Sequence, residues 1–388
     1  MIGGKLVAGM LTLAVTVPVP ASAAGGTAGT TADCSPPRGT TSIGESWAQR
    51  RFDLPEVWKL TRGAGVTVAI IDSGVDTGHP QLARMRGSLV DLTGTGTGDC
   101  LGHGTQVAGI VGGTEIKGVP FAGVAPGARL ISIKHTNEDT GDAKLLAHAI
   151  LRAVRLGADV INVSAKAHDQ PDLRRVVNYA LSQDVVVVAA AGNVSKDDGT
   201  SPPAYPAAYP GVISVGSAGP DGTRASSSST TTPVSVLAPG VGITSTSPGR
   251  AYAEGLEGTS FATPYVAGVA ALVRARHPRL DHLAVQRRIR LTSVGGSGTG
   301  TGAGMINPLL AVSAILPSES VAIAPDEAAP LPADAILRAP VKDSRAIAIA
   351  TWVALICLAL VLLASLGRVV VPLGRRRGWR PTKAEIGA

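Results

Sequence analysis

Serine, histidine, aspartate and asparagine each occur in this chain inside a short motif containing glycine. Those four residue types are what acyl transfer by a serine nucleophile requires. A serine hydroxyl is a weak nucleophile at neutral pH, so it needs a base, a group to orient that base, and donors for the oxyanion formed on attack. Gly258-Thr259-Ser260-Phe261-Ala262-Thr263-Pro264 supplies the hydroxyl. Gly258 permits an approach that a Cβ would block, and Thr259 or Ser260 can cap a helix over the apolar run Phe261 to Val273. Pro264 is expected in the first turn, where its missing N–H has no partner to lose. Alone, this stretch fits an ordinary capped helix.

The partners lie upstream. Gly65-Val66-Thr67-Val68-Ala69-Ile70-Ile71-Asp72-Ser73-Gly74 is a β-branched apolar run ending in a carboxylate, as expected of a strand buried on both faces. Ligand chemistry in open α/β sheets gathers at such strand ends. Gly102-His103-Gly104-Thr105 puts an imidazole at the start of an apolar helical segment, with glycines that let backbone pack closely around it. Val185 to Asn193 is another buried strand, and its closing asparagine can aim a neutral amide at developing negative charge. Singly, Asp72 reads as a turn or cap residue, His103 as structural and Asn193 as a turn residue. Together with Ser260 they read as a catalytic set.

These residues need a scaffold. Arg129–Lys134, Val160–Ser164, Val185–Ala191, Val212–Gly216 and Val234–Ala238 read as strands, and Ala143–Leu156 and Pro171–Ser182 as helices. Trp47, Phe52, Leu54, Val57 and Trp58 are spaced like a short amphipathic helix and turn. The alternation predicts an α/β fold, a doubly wound, mostly parallel sheet with helices on both faces. Phe261–His277 should be a long helix stopped by Pro278, and Leu283–Leu291 the last large helix of the domain. The Gly-rich run Gly295–Gly304 should then return to packed structure at Met305-Ile306-Asn307-Pro308.

The ends of the chain carry addresses. Lys5, the apolar stretch Leu6–Val17 and Ala21-Ser22-Ala23 form a secretory signal, too short to span a membrane comfortably. Ala346–Leu366 is an uncharged apolar run of 21 residues, enough for one crossing, added to the α/β domain. Of the net charge of +7, the segment from Arg368 onward supplies +5, six basic residues against one acidic. The positive-inside rule then places the tail in the cytoplasm and the domain outside. With the excess gathered there, the basic balance gives no reason to expect a nucleic-acid partner. Cys34 and Cys100 flank the exported domain and can pair in an oxidising compartment, or remain two free thiols. Cys357 sits in the apolar run as a small filler.

Asp72-Ser73-Gly74, Gly102-His103-Gly104-Thr105, Ala191-Gly192-Asn193 and the Ser260 motif follow the order found in subtilisin-like serine proteases, which this chain therefore resembles. Within that family it looks most like the mycosins, membrane-anchored subtilases of actinobacterial type VII secretion systems. The signal peptide, the Cys34 arm with Cys100 before the histidine, Trp58-Lys59-Leu60-Thr61-Arg62-Gly63, the Pro-rich stalk and the C-terminal span carry that likeness. The resemblance implies Ser260 as nucleophile, His103 as general base and then acid, Asp72 as its orienter, and Asn193 with the Ser260 backbone N–H as oxyanion donors. It also implies Ser164, Ala165, Ala191 and Gly192 as substrate-binding residues, a protein or peptide substrate, and a type VII secretion membrane complex as partner.

The implied organisation is a signal peptide (1–23), an N-terminal extension (24–45), a peptidase domain (46–315), a Pro-rich linker (316–345), a transmembrane helix (346–366) and a basic cytoplasmic tail (367–388). There are departures from the family pattern. Lys166 stands where many subtilases have a glycine or small residue, in a segment that walls the primary specificity pocket, so side-chain preference does not carry over. No cysteines remain for the second disulfide of several mycosins. Asp76, Asp91 and Asp99 are too scattered for a calcium site, and no metal or other cofactor is expected. The arm is far shorter than a folded subtilisin prodomain and is expected to wrap the domain. Two alternatives stand beside a secretion-system protease: a general cell-surface subtilase, and a scaffold of the secretion complex with proteolysis secondary.

Overall fold

A computed structural model describes residues 34–85, 88–138, 141–195, 199–319 and 344–378. The expected signal peptide, the expected extension up to residue 33, residues 320–343 of the expected linker and residues 379–388 of the expected tail lie outside the described residues. Contacts divide the chain into two units, residues 1–321 and 322–388.

In the first unit the elements run α1 (Trp47–Phe52), α2 (Leu54–Trp58), β1 (Thr67–Asp72), β2 (Leu89–Asp91), α3 (His103–Gly112), β3 (Arg129–Lys134), α4 (Ala143–Arg155), β4 (Val160–Val163), α5 (Pro171–Ser182) and β5 (Val186–Ala190). They continue with β6 (Ile213–Ala218), β7 (Val236–Pro239), β8 (Ile243–Ser247), β9 (Ala251–Leu256), α6 (Thr259–Arg276), α7 (His282–Leu291), β10 (Val294–Gly295), β11 (Gly304–Met305) and α8 (Pro308–Ser313). Among the described residues, nine strands form one sheet in the order β10-β11-β7-β6-β5-β4-β1-β3-β2, parallel except for the β10–β11 pair. A separate hairpin pairs β8 with β9. Strand order reverses beside β1, which lies between β4 and β3, so the crevice at its carboxyl end is a switch point of the kind that binds ligands.

The sheet is buried on both faces because alternate residues of each strand serve different cores. Val68 and Ile70 pack with α3 and α6, while Ala69 and Ile71 pack with α4 and α5. Each fully buried isoleucine contributes about 1.5–3 kcal/mol, enough to fix the register of β1 against a one-residue slip. The same double burial explains why these strands were readable as continuous apolar runs.

α6 is buried nearly all round, from Thr259 to Val273 with Ser260 the exception. A Cβ on Gly268 would come within 2.6 Å of the Val124 Cβ, so glycine sets how closely this helix meets the segment after α3. Two expectations about α6 are corrected. Its N-cap is Gly258, with no side-chain capping bond, and Thr259 and Ser260 lie inside the helix. Pro264 is consequently its sixth residue, beyond the first turn, and removes the N–H that would have bonded to the Ser260 carbonyl.

The cysteines resolve toward pairing: Cys34 and Cys100 are disulfide-bonded across a separation of 66 residues. The arm they anchor continues along β9, where Thr40 and Tyr252 exchange backbone hydrogen bonds of 2.8 and 2.7 Å. In the second unit, α9 (Ser344–Arg376) is a 33-residue helix, long and apolar enough to cross a membrane. It runs ten residues past the expected end of the span at Leu366, through Arg368 and Pro372.

α3 reaches β1 through a glycine. A Cβ at Gly104 would lie 2.1 Å from the Gly74 carbonyl oxygen and 3.2 Å from Asp72 Oδ1. Gly104→Ala should therefore force the helix off the strand and lower stability by about 1–3 kcal/mol, the usual penalty of overpacking. Thermal unfolding of the detergent-solubilised chain checks this, and an unchanged or raised midpoint would contradict the packing described.

Candidate active site

Four segments at one rim of the sheet converge on a cavity of about 360 Å³. Asp72 ends β1, His103 begins α3, Asn193 follows β5 and Ser260 is the second residue of α6; all four line this cavity. Residues separated by almost 190 positions in sequence are thus brought together, and the four motifs occupy one place.

Asp72 is 3 % exposed and His103 is partly buried. His103 Nδ1–H donates to Asp72 Oδ1 at 2.7 Å, the short distance of a charge-assisted bond. The Ser73 backbone N–H donates to the same oxygen at 2.8 Å. Burial pushes the Asp72 carboxyl up, but the charge and hydrogen bond of His103 and the Ser73 N–H outweigh it and hold the group below the ordinary aspartate range. The carboxylate is therefore ionised at neutral pH and fixes the imidazole tautomer, leaving Nε2 to face the cavity as an acceptor. The His103 ring packs against Phe261, the residue after Ser260, with centroids 5.1 Å apart.

Ser260 is held by substitution for a lost helical bond. With Pro264 unable to donate, the Ser260 carbonyl accepts from Ser164 Oγ–H at 2.9 Å, and Asn162 Nδ2–H orients that hydroxyl by donating to Ser164 Oγ at 2.9 Å. The proline thus frees a carbonyl through which the end of β4 grips the serine. On the other side, Asn193 Oδ1 accepts from the Thr259 N–H at 3.0 Å and from Thr259 Oγ1–H at 3.1 Å, which leaves Nδ2 as the free end of the amide. A Cβ at Gly258 would lie 3.1 Å from Asn193 Nδ2 and 3.6 Å from Ser260 Oγ. Glycine there, at φ 137°, keeps open the space between amide and hydroxyl. The arrangement offers a hydroxyl, an oriented base and an amide donor around one cavity, which is what acyl transfer needs.

Ser164, Ala165 and Gly192 line the cavity as well; Ala191 is fully buried, and its N–H bonds the Val215 carbonyl at 3.0 Å. The sequence reading did not single out Leu101, His135, Thr136, Glu138 or Glu257, which also line it. His135 is fully buried, with Nδ1 3.2 Å from the Asp72 carbonyl oxygen, and burial pushes its imidazole pKa down. The signal in the sequence is its place directly after the β3 run; the pairing of β3 with β1, in register Asp72 to Lys134, brings it to the site. Lys166 stands exposed at the rim, and among the described residues no cluster of acids, histidines and cysteines could hold a metal ion.

The family model for the subtilase family, Peptidase S8, matches residues 63–307. Mycosin-1 of Mycolicibacterium smegmatis is 34% identical over 329 residues, covering 70% of this chain and 73% of the relative. Subtilisin from Bacillus pumilus is 39% identical over 249 residues, 63% of this chain and 90% of that protein. A solved structure described as a serine protease MycP1, an essential component of the type VII (ESX-1) secretion system, superposes with a TM-score of 0.63 at 32% identity, covering 72% of this chain and 91% of that one. With the fold, the rim cavity and these likenesses in agreement, the chain belongs to the subtilase family of serine endopeptidases and closely resembles the mycosins.

Proposed function

We propose that the rim cavity is the catalytic site of a membrane-anchored endopeptidase in which Ser260 attacks the scissile carbonyl. His103 takes the hydroxyl proton at Nε2 and returns it to the leaving amine. Asp72 holds the ring in the productive tautomer and stabilises the imidazolium as it forms. Asn193 Nδ2–H and the Ser260 backbone N–H donate to the oxyanion. Ser164, Ala165 and Gly192 form the walls along which the substrate chain lies, with the buried Ala191 directly before Gly192. The observation that carries this reading is the 2.7 Å bond from His103 to a buried, ionised Asp72, in a cavity shared with Ser260 and Asn193.

The same reading places the domain on the extracytoplasmic side. The uncharged apolar run Ala346–Leu366, followed by Arg368, Arg375, Arg376 and Arg377, favours a single crossing with a cytoplasmic tail. The likeness to MycP1 supports a place in a type VII secretion membrane complex, acting on an exported protein or a component of the machine.

Two measurements test this. A fluorophosphonate probe should label the wild-type chain at Ser260, and Ser260→Ala should abolish labelling; equal labelling of the variant would refute the nucleophile. Extraction in mild detergent should bring the chain out with large membrane assemblies. Migration as a lone monomer at every detergent level would instead favour a general cell-surface subtilase.

A further inference from the structure

A second buried carboxylate stands behind the pair of Asp72 and His103. Asp99 is 4 % exposed and accepts four hydrogen bonds, drawn from three places in the chain. Ser73 Oγ–H and the Gly102 N–H reach Oδ1, each at 2.8 Å, while the Thr105 N–H and Oγ1–H reach Oδ2 at 2.7 and 2.6 Å. Gly102 and Thr105 bracket His103 at the start of α3, and Ser73 follows Asp72. The N-cap position of α3 is Gly102, which has no side chain to cap with, and Asp99 meets the helix's unpaired N–H groups from outside.

We propose that Asp99 is a positioning residue for the reaction: its carboxylate fixes the helix start that carries His103 and draws the Ser73 hydroxyl proton away from Asp72. The second effect follows from distances. Ser73 Oγ lies 2.8 Å from Asp99 Oδ1 and 3.2 Å from Asp72 Oδ1, and it accepts the Gly104 N–H at 3.0 Å. Its one proton goes to the nearer acceptor. Were Asp99 neutral, that proton would turn to Asp72 Oδ1 and add a third donor to the oxygen that holds His103, weakening its pull on the imidazolium. The groups able to alter Asp99 are Asp72 on β1, His103 on α3, and Lys134 on β3, whose Nζ–H donates to the neighbouring Gly98 carbonyl at 2.8 Å. Burial and the Asp72 charge push the Asp99 carboxyl up, against the donors that favour its charge. It therefore takes a proton at a higher pH than Asp72 does.

The proposal rests on the triad reading. The test is the second-order rate of Ser260 labelling by a fluorophosphonate on the full-length chain in detergent, followed from about pH 9 down into the ordinary aspartate range near about 4. Asp99→Asn should slow labelling on the order of ten- to a hundred-fold at pH 8, since misplacement near one ångström carries about that cost. The ratio of wild type to variant should shrink at the acid end of the range, where a carboxyl raised above the ordinary aspartate range takes up a proton. A change of less than threefold at pH 8, or a ratio constant across the range, would overturn the proposal; a merely structural role predicts the constant ratio. Should the asparagine variant fail to fold, Thr105→Val removes one donor and is expected to slow labelling a few-fold, with no change counting against the idea. A wild-type chain that never labels would remove the triad reading, and this proposal with it; normal wild-type labelling with an indifferent variant would remove this proposal alone.

Discussion

The site depends on a charge kept at the edge of an apolar sheet. Asp72 belongs to a strand whose other residues are all buried, and a carboxylate there is costly unless donors surround it. His103 and the backbone of Ser73 supply those donors, and in doing so fix the one imidazole orientation that leaves Nε2 for the cavity. Burial and chemistry are thus coupled: the low-dielectric surroundings that penalise the carboxylate also strengthen its hold on the imidazole.

α6 contributes by an exchange of bonds. Ser260 sits at the first turn of a helix buried nearly all round, so its position is set by the core. Pro264 breaks the helix's own hold on the Ser260 carbonyl, and Ser164 at the end of β4 takes it up. Asn193 closes the other side, with its oxygen on Thr259 and its nitrogen beside Gly258. Two strand ends and the start of α6 are in this way tied to each other by polar bonds, above a core that is otherwise apolar.

Much of this was legible because buried parallel strands declare themselves. The run ending at Asp72 and those read as Val160–Ser164 and Val185–Ala191 stood out as apolar and rich in β-branched residues, with β4 and β5 inside the latter two, and α5 falls on the expected Pro171–Ser182. The short β2, the β8–β9 hairpin and the β10–β11 pair were not, since they are brief, polar or rich in glycine and carry no clear period. The helix cap was misplaced because Thr259-Ser260 looks like a capping pair; only the fold reveals that Asn193 meets the Thr259 N–H from another strand. Asp99 was weighed as a metal ligand and dismissed for its isolation in sequence, yet its partners Ser73, Gly102 and Thr105 are gathered by the packing of α3 on β1. Long-range polar networks of this kind leave little trace in local spacing.

The central claim is that Asp72 acts through His103 on Ser260 and is more than a buried turn residue. It is tested most directly by comparing the fluorophosphonate labelling rate of the wild-type chain with that of Asp72→Asn, which preserves shape but removes the charge. The account predicts a fall of about four orders of magnitude at neutral pH, with the chain still folded. A fall of less than tenfold would contradict it.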